Sequence, residues 1–300
     1  MAKSNKKTPR EQITEDIIEH LDFIQSTVDG LATTSASVQH QLHEILWEQV
    51  QRFEIKDKRF IPRQDLRRRM IIIEEKFEKI LTGKTYADAV QNYLSSFSTI
   101  EKTNIALQKD YNELQVDLQL TTPARRQVYK QAKAALYGSG IDAGFREPLN
   151  HMLLMQVTTG GSISDMEEIL QRWNAGDLSA GSRSPTGRPM PNLQQYATQL
   201  ARDTSYQFNG TVNEIIAQEF GLDGIMYVGD IIRDSRPLCV HLVNLRRDVG
   251  KDELAELLVR KDLLPGRIPG TTVQNFCTNR GGFACRHMSF PVRIRKASSK

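Results

Sequence analysis

Four stretches in the first 120 residues place apolar side chains three and four positions apart, with neither glycine nor proline in their central turns. That spacing puts the apolar positions on one face of a helix. The first runs through Ile13, Ile17, Leu21, Ile24, Val28 and Leu31, and the second through Val38, Leu42, Ile45, Leu46, Val50 and Phe53. Between them lies the small polar run Thr33 to Ser37, so Ser37 caps a second helix or one helix continues through it. Pro62 suits the first turn of a third helix, carrying Leu66, Met70, Ile73, Phe77 and Ile80 and stopping at Gly83. A fourth is predicted from Tyr86 to Leu118. Residues 1–120 therefore read as an elongated helical hairpin or bundle, a scaffold whose apolar stripe packs internally or docks on another subunit as a homo-oligomer.

Beyond this region the pattern changes. Thr122-Pro123 reads as a break and a domain boundary, followed by a helix from Arg125 to Leu136 that Gly138-Ser139-Gly140 interrupts. Residues 175–191 are rich in Gly, Ser and Pro and read as an exposed loop. A helix from Leu193 to Phe220 ends at Gly221, after which Ile225, Tyr227 and Val228 suggest a strand. The predicted class is mostly α with a small β-containing C-terminal subdomain (α+β), divided into 1–120, 121–292 and a basic tail, 293–300.

Charge and cysteine usage narrow the function. The chain has 40 basic and 36 acidic residues, a net +4 too small to imply nucleic acid by itself. Basic residues do cluster, at Lys3, Lys6, Lys7 and Arg10, at Arg67, Arg68 and Arg69, and at Arg293, Arg295, Lys296 and Lys300. These are solvated ends and one solvated helix face, or phosphate contacts of a nucleic-acid-binding module. No stretch approaches the roughly 18 apolar residues of a membrane span, and no signal-peptide core opens the chain, so a cytoplasmic product without a membrane partner is expected. Three cysteines do not make a secreted disulfide framework and read as thiols or metal ligands.

Motifs for catalysis are missing, and no enzyme is expected. Gly83-Lys84-Thr85 ends like a phosphate-binding loop, but Glu78 stands where the first glycine belongs. No Gly-x-Ser-x-Gly or His-Glu-x-x-His occurs. His151, flanked by Leu149, Met152, Leu153 and Leu154, reads as a core histidine.

Cys-x-His occurs twice, as Cys239-Val240-His241 and Cys285-Arg286-His287. In a strand, residues two apart share a face, so each pair could present both side chains to one ion. Four such ligands would form a closed structural zinc site joining the last strand to the region of Cys239; the alternative is a metal-free Cys/His cluster. Cys277 reads as a core thiol or a substitute ligand, and Asp234-Ser235-Arg236 as an ion pair or turn cap. Gly281-Gly282 permits a tight turn before the closing strand.

The segment from Ala201 to Leu242, with the later "GGFACRHMSFPV", resembles the phage Mu protein F-like family of minor head, or head-morphogenesis, proteins over roughly residues 125–292. Arg202-Asp203-Thr204, Asp234-Ser235-Arg236 with Cys239, and Cys285-Arg286-His287 carry the resemblance. Two departures stand out: Asn244-Leu245-Arg246 follows the first Cys element where many relatives have Gly-Lys or Asp-Gly, and Gly-Gly-Phe-Ala-Cys-Arg-His replaces His-Pro-x-Cys-Arg-Cys. The set Cys239, Cys285, His287 is retained, with His241 the local candidate for the fourth ligand. The resemblance implies a noncatalytic virion protein of a tailed phage or prophage. Its expected partners are portal and capsid proteins and packaged DNA, and it is expected at the capsid interior or portal vertex, and in host cytoplasm during assembly. Some relatives append a toxin or transferase domain; with eight residues after Val292, none is expected here.

Overall fold

A computed structural model describes residues 7–61, 66–177 and 191–294. It is mostly helical, with a small antiparallel sheet near the C-terminus. The order begins α1 (Pro9–Val50), β1 (Ile55–Lys56), β2 (Arg59–Phe60), α2 (Leu66–Leu81), α3 (Lys84–Asn112) and α4 (Leu118–Tyr137). A single turn, α5 (Ser139–Ile141), passes through a π-helical turn (Asp142–Arg146) into α6 (Glu147–Thr158), followed by α7 (Ile163–Asn174). Then come α8 (Leu193–Glu219), β3 (Gly224–Val228), α9 (Pro237–Leu245), β4 (Val249–Gly250), α10 (Lys251–Val259), α11 (Phe276–Asn279) and β5 (Met288–Val292). Pro62, most of the 175–191 loop and the tail from residue 295 lie outside the described residues.

Several expectations need correction. At Thr33 to Ser37 it is the continuous alternative that holds: α1 carries both stripes as far as Val50, with Phe53 beyond its end, and the fully buried Ser35 lies between Leu31 and Val38 in the same stripe. The Ser35 side chain is small enough to leave the apolar face intact. The helix predicted to reach Leu118 stops at Asn112, and Thr122-Pro123 sits inside α4 rather than breaking the chain. Thr122 Oγ1 donates to Leu118 O at 2.8 Å, and Thr121 Oγ1 donates to the buried Glu101 carboxylate at 2.7 Å, which also pairs with Arg125 at 2.7 Å. These bonds hold the first turns of α4 around a proline that cannot donate. The β1–β2 hairpin was not legible as a strand pattern; its turn uses Asp57 and Lys58, both at positive φ (52° and 63°), the conformation of two-residue hairpins.

Contacts divide the chain into two compact units, neither of them continuous in sequence: Met1–Thr27, Ser95–Lys130 and Arg202–Lys300 form one, and Val28–Leu94 with Gln131–Ala201 the other. In the second unit Phe145 stacks on Trp173 at 5.8 Å, Phe53 meets Phe60 edge-on at 6.0 Å, and Ser162 caps α7 by accepting from Asp165 N.

The first unit contains the sheet, ordered β4-β3-β5 and antiparallel throughout. Register runs from Gly224 opposite Val292 to Val228 opposite Met288. All residues of β3 and β5 are buried, so the sheet is covered on both faces. Ile225 and Tyr227 face a core of Leu238, Cys239, Leu242, Leu254 and Phe276. On the other face Met226 meets Thr14 of α1, and Phe290 meets Tyr111 of α3 at 6.0 Å.

A ladder of buried amides joins these elements. Asn209 Oδ1 lies 2.9 Å from His20 Nε2 and accepts from Asn104 Nδ2 at 2.7 Å; one helical turn on, Gln108 donates to Asn213 Oδ1 at 3.3 Å. Asn213 and Asn112 then donate to Ser289 O and Pro291 O of β5, at 3.1 and 2.9 Å. Partners four residues apart on α3 and α8 match one another, so sliding either helix strands several buried polar groups at once.

Two predictions follow from this unit. A Cβ at Gly210 would lie 2.0 Å from Cys277 O and 2.8 Å from Thr278 Cα, where α8 crosses α11 backbone to backbone. Gly210→Ala is expected to destabilise the protein by about 1–3 kcal/mol in denaturant unfolding, since backbone has no rotamer with which to yield. Burial holds the His20 imidazole below its ordinary 6.5. The unfolded chain therefore takes up that proton first, and this contribution to stability, complete above about pH 6.5, declines as pH falls below it. His20→Gln, which keeps a donor toward Asn209, should flatten that part of the urea-midpoint loss between about pH 7 and pH 5.5.

Candidate metal centre

Pro237, which has no N–H to leave unsatisfied, starts α9, and Cys239 follows in its first turn. Cys285 and His287 stand just before β5, on the segment that delivers this strand to β3. The intervening loop is tightly wound: Arg280, Gly282 and Ala284 all have positive φ, at 44°, 116° and 56°. Two residues of α8 hold it in that shape. Asp203 Oδ1 accepts from Ala284 N at 2.7 Å, and the buried Arg280 guanidinium donates to Tyr206 O while lying over the Tyr206 ring. Arg236 reaches the same loop by donating to Phe283 O.

The outcome is a compact, buried donor set. Cys239 Sγ and Cys285 Sγ are 3.8 Å apart, and Cys285 Sγ lies 3.5 Å from His287 Nδ1. The side chains are only 1%, 4% and 5% exposed, and their ligand atoms all fall within 4.8 Å of one another. Bonds of about 2.3 Å to sulfur and 2.0–2.1 Å to nitrogen give tetrahedral edges of about 3.8 Å for S···S and about 3.6 Å for S···N. These two separations match those edges, and the third pair lies within 4.8 Å, so the donor set is compatible with a tetrahedral metal ion. His287 Nε2 is buried with no hydrogen-bond partner among the described residues.

The two thiols and Tyr227 influence one another. The Cys285 thiol is held well below its ordinary value, foremost because Cys239 donates to it, with further help from His287 and Arg280. Cys239 is pushed up in turn by its bond to Cys285 and by burial. Burial and the two cysteines raise Tyr227 well above the ordinary phenol range. It remains a neutral donor, its hydroxyl 3.4 Å from Cys239 Sγ and 3.5 Å from Cys285 Sγ, while its ring stacks on His287 at 5.4 Å.

His241 does not join the group. It was expected beside Cys239 on a strand or turn, but α9 is a helix, where residues two apart point to nearly opposite sides at about 100° per residue. Cys277 packs against Ser289 Oγ at 3.5 Å, its thiol pushed up to about 11 by burial, as a core thiol would be. Ser235 forms a turn with Ile232, accepting from Ile232 N at 2.9 Å, while Asp234 is exposed. His151 is exposed on α6, although Leu149, Met152 and Leu153 around it are buried. Among the arginines of α2, Arg68 is exposed and Arg69 lies over the Phe53 ring at 5.6 Å; the Arg67 side chain is outside the described residues. Sequence reasoning missed Tyr227 as part of the centre, although its predicted strand position gave the signal, and it missed Arg280 and the role of Gly281.

Comparison with protein-family models, with curated proteins and with solved structures finds no match to this chain.

Gly281 provides the direct test of this packing. A Cβ there would sit 2.1 Å from Cys239 Sγ and 3.2 Å from Cys285 Sγ, so the loop lies flat against the sulfur pair. Gly281→Ala is expected to cost about 1–3 kcal/mol in chemical denaturation. Gly250→Ala, with nothing within 4 Å of its Cβ, is the control and should change little.

Proposed function

We propose that this protein is a noncatalytic minor head protein of a tailed phage or prophage, working beside the portal and capsid proteins in head morphogenesis or genome delivery. The observation that carries the reading is a convergence. The three motif segments of the resemblance are far apart in sequence, yet Asp203, Arg236 with Cys239, and Cys285 with His287 meet around one loop and one donor set. A motif match by chance has no reason to assemble in space. Of the basic run on α2, Arg69 lies over the Phe53 ring, and DNA contact is the lesser reading.

Within this proposal the donor set holds a structural zinc ion. Its Cys/Cys/His chemistry and tetrahedral edges suit zinc, which would supply a bond network between α9 and the approach to β5 in place of a larger hydrophobic core. The chain's own residues do the rest: Gly281 admits the loop, Tyr227 donates to the sulfurs, and Asp203 and Arg280 keep the loop closed over them.

Quantitative mass spectrometry of purified, DNA-filled particles from the source tests the proposal. A low, reproducible ratio of this chain to the major capsid protein, comparable to that of the portal, is the expected result. Absence from particles and from assembling heads would overturn it.

A further inference from the structure

We infer that the metal centre is open: this chain supplies three ligands, and the fourth is an exchangeable oxygen or nitrogen donor that enters from a cleft beside it, water in the isolated protein and a small anion when one is present. This rests on the metal reading above and departs from the closed site that the two Cys-x-His pairs suggest.

Three observations point this way. First, among the described residues no fourth ligand stands with the three. All three cysteines and all six histidines lie among the described residues, and no other Cys, His, Asp or Glu there joins Cys239, Cys285 and His287. His241 is turned away by the helix, Cys277 is engaged with Ser289, and the Tyr227 hydroxyl is taken up by its hydrogen bonds to the two sulfurs. Second, the sulfurs are closed over by Gly281 and capped by the Tyr227 hydroxyl, but Cys239, Cys285 and His287 all line one cleft of about 170 Å³. That volume is ample for several waters. Third, the cleft is equipped for a polar ligand. Asp22, Asp230 and Asp234 line it and can accept from a metal-bound water, while Arg236 and Arg286 supply positive charge for an anion. His287, nine-tenths buried with its Nε2 unpartnered, lines the same space.

The charge balance agrees. Two thiolates neutralise a divalent ion and the imidazole adds none, so an anion at the fourth position meets no excess negative charge from the ligands themselves. Three protein ligands with one open position is the coordination that leaves zinc able to bind an outside group, whereas four protein ligands seal it.

The test uses the full chain loaded with cobalt(II), whose visible spectrum reports ligand number and type, and titrates it with azide. The expected result is one cobalt per chain with sulfur-to-metal absorption, ligand-field bands that shift saturably with azide, and the same behaviour in His241→Ala. Stoichiometric cobalt whose spectrum ignores azide, or whose spectrum changes in His241→Ala, would overturn the open centre and leave the metal reading standing. Failure to bind stoichiometric cobalt at all, or equal binding by Cys285→Ser, would overturn the metal reading and this inference with it.

Discussion

The contact between Cys239 and Cys285 beneath Gly281 is the constraint on which the C-terminal part of the first unit depends. It joins the first turn of α9 to the segment that delivers β5, and β5 is the central strand's longer partner. For the sulfurs to meet, the loop must pass with no side chain in the way, which is why a glycine stands at 281 and why the neighbouring residues take up positive φ. That strained path has its own supports in Asp203, Tyr206 and Arg236, so α8 and the loop before α9 are committed to the same small volume.

The opposite side of the sheet is specified by a different kind of interaction. A sheet covered only by apolar helices can tolerate small slips, because hydrophobic burial is nondirectional. The amides of Asn104, Gln108, Asn112, Asn209 and Asn213 remove that freedom by matching donors to acceptors at one-turn intervals and ending on the carbonyls of β5. The two sides together explain why β5 can be both buried and uniquely registered. A strand held by helices on one face and by a Cys/His centre at its entry has few alternatives.

The centre also separates two ways of using the same ligands. Four ligands from one chain would make a staple and nothing more. On the proposed reading, three ligands facing a polar cleft would still staple α9 to β5, but would leave one position answerable to what lies outside the chain. A structural role in a particle and a ligand-responsive site are compatible in one protein, since the first needs the bonds within the chain and the second only the position left over.

Much of the fold was legible in the residues alone. The three-and-four spacing of Ile13 through Val50 and Leu66 through Ile80 specified helices, because helical geometry is set by local bonding and one buried face. Gly221 marked the end of α8, and the alternation around Tyr227 marked a strand. The repeated Cys-x-His spacing located the donor residues too, but could not say which way they point. The same two-residue step aims Cys285 and His287 at one place in an extended segment and turns His241 away from Cys239 in a helix. That difference was decided by tertiary structure: Pro237 can start a helix in this context, and the loop over Gly281 brings residues 46 apart into contact. Local spacing determines which atoms are available; only the path of the chain between them determines which atoms meet.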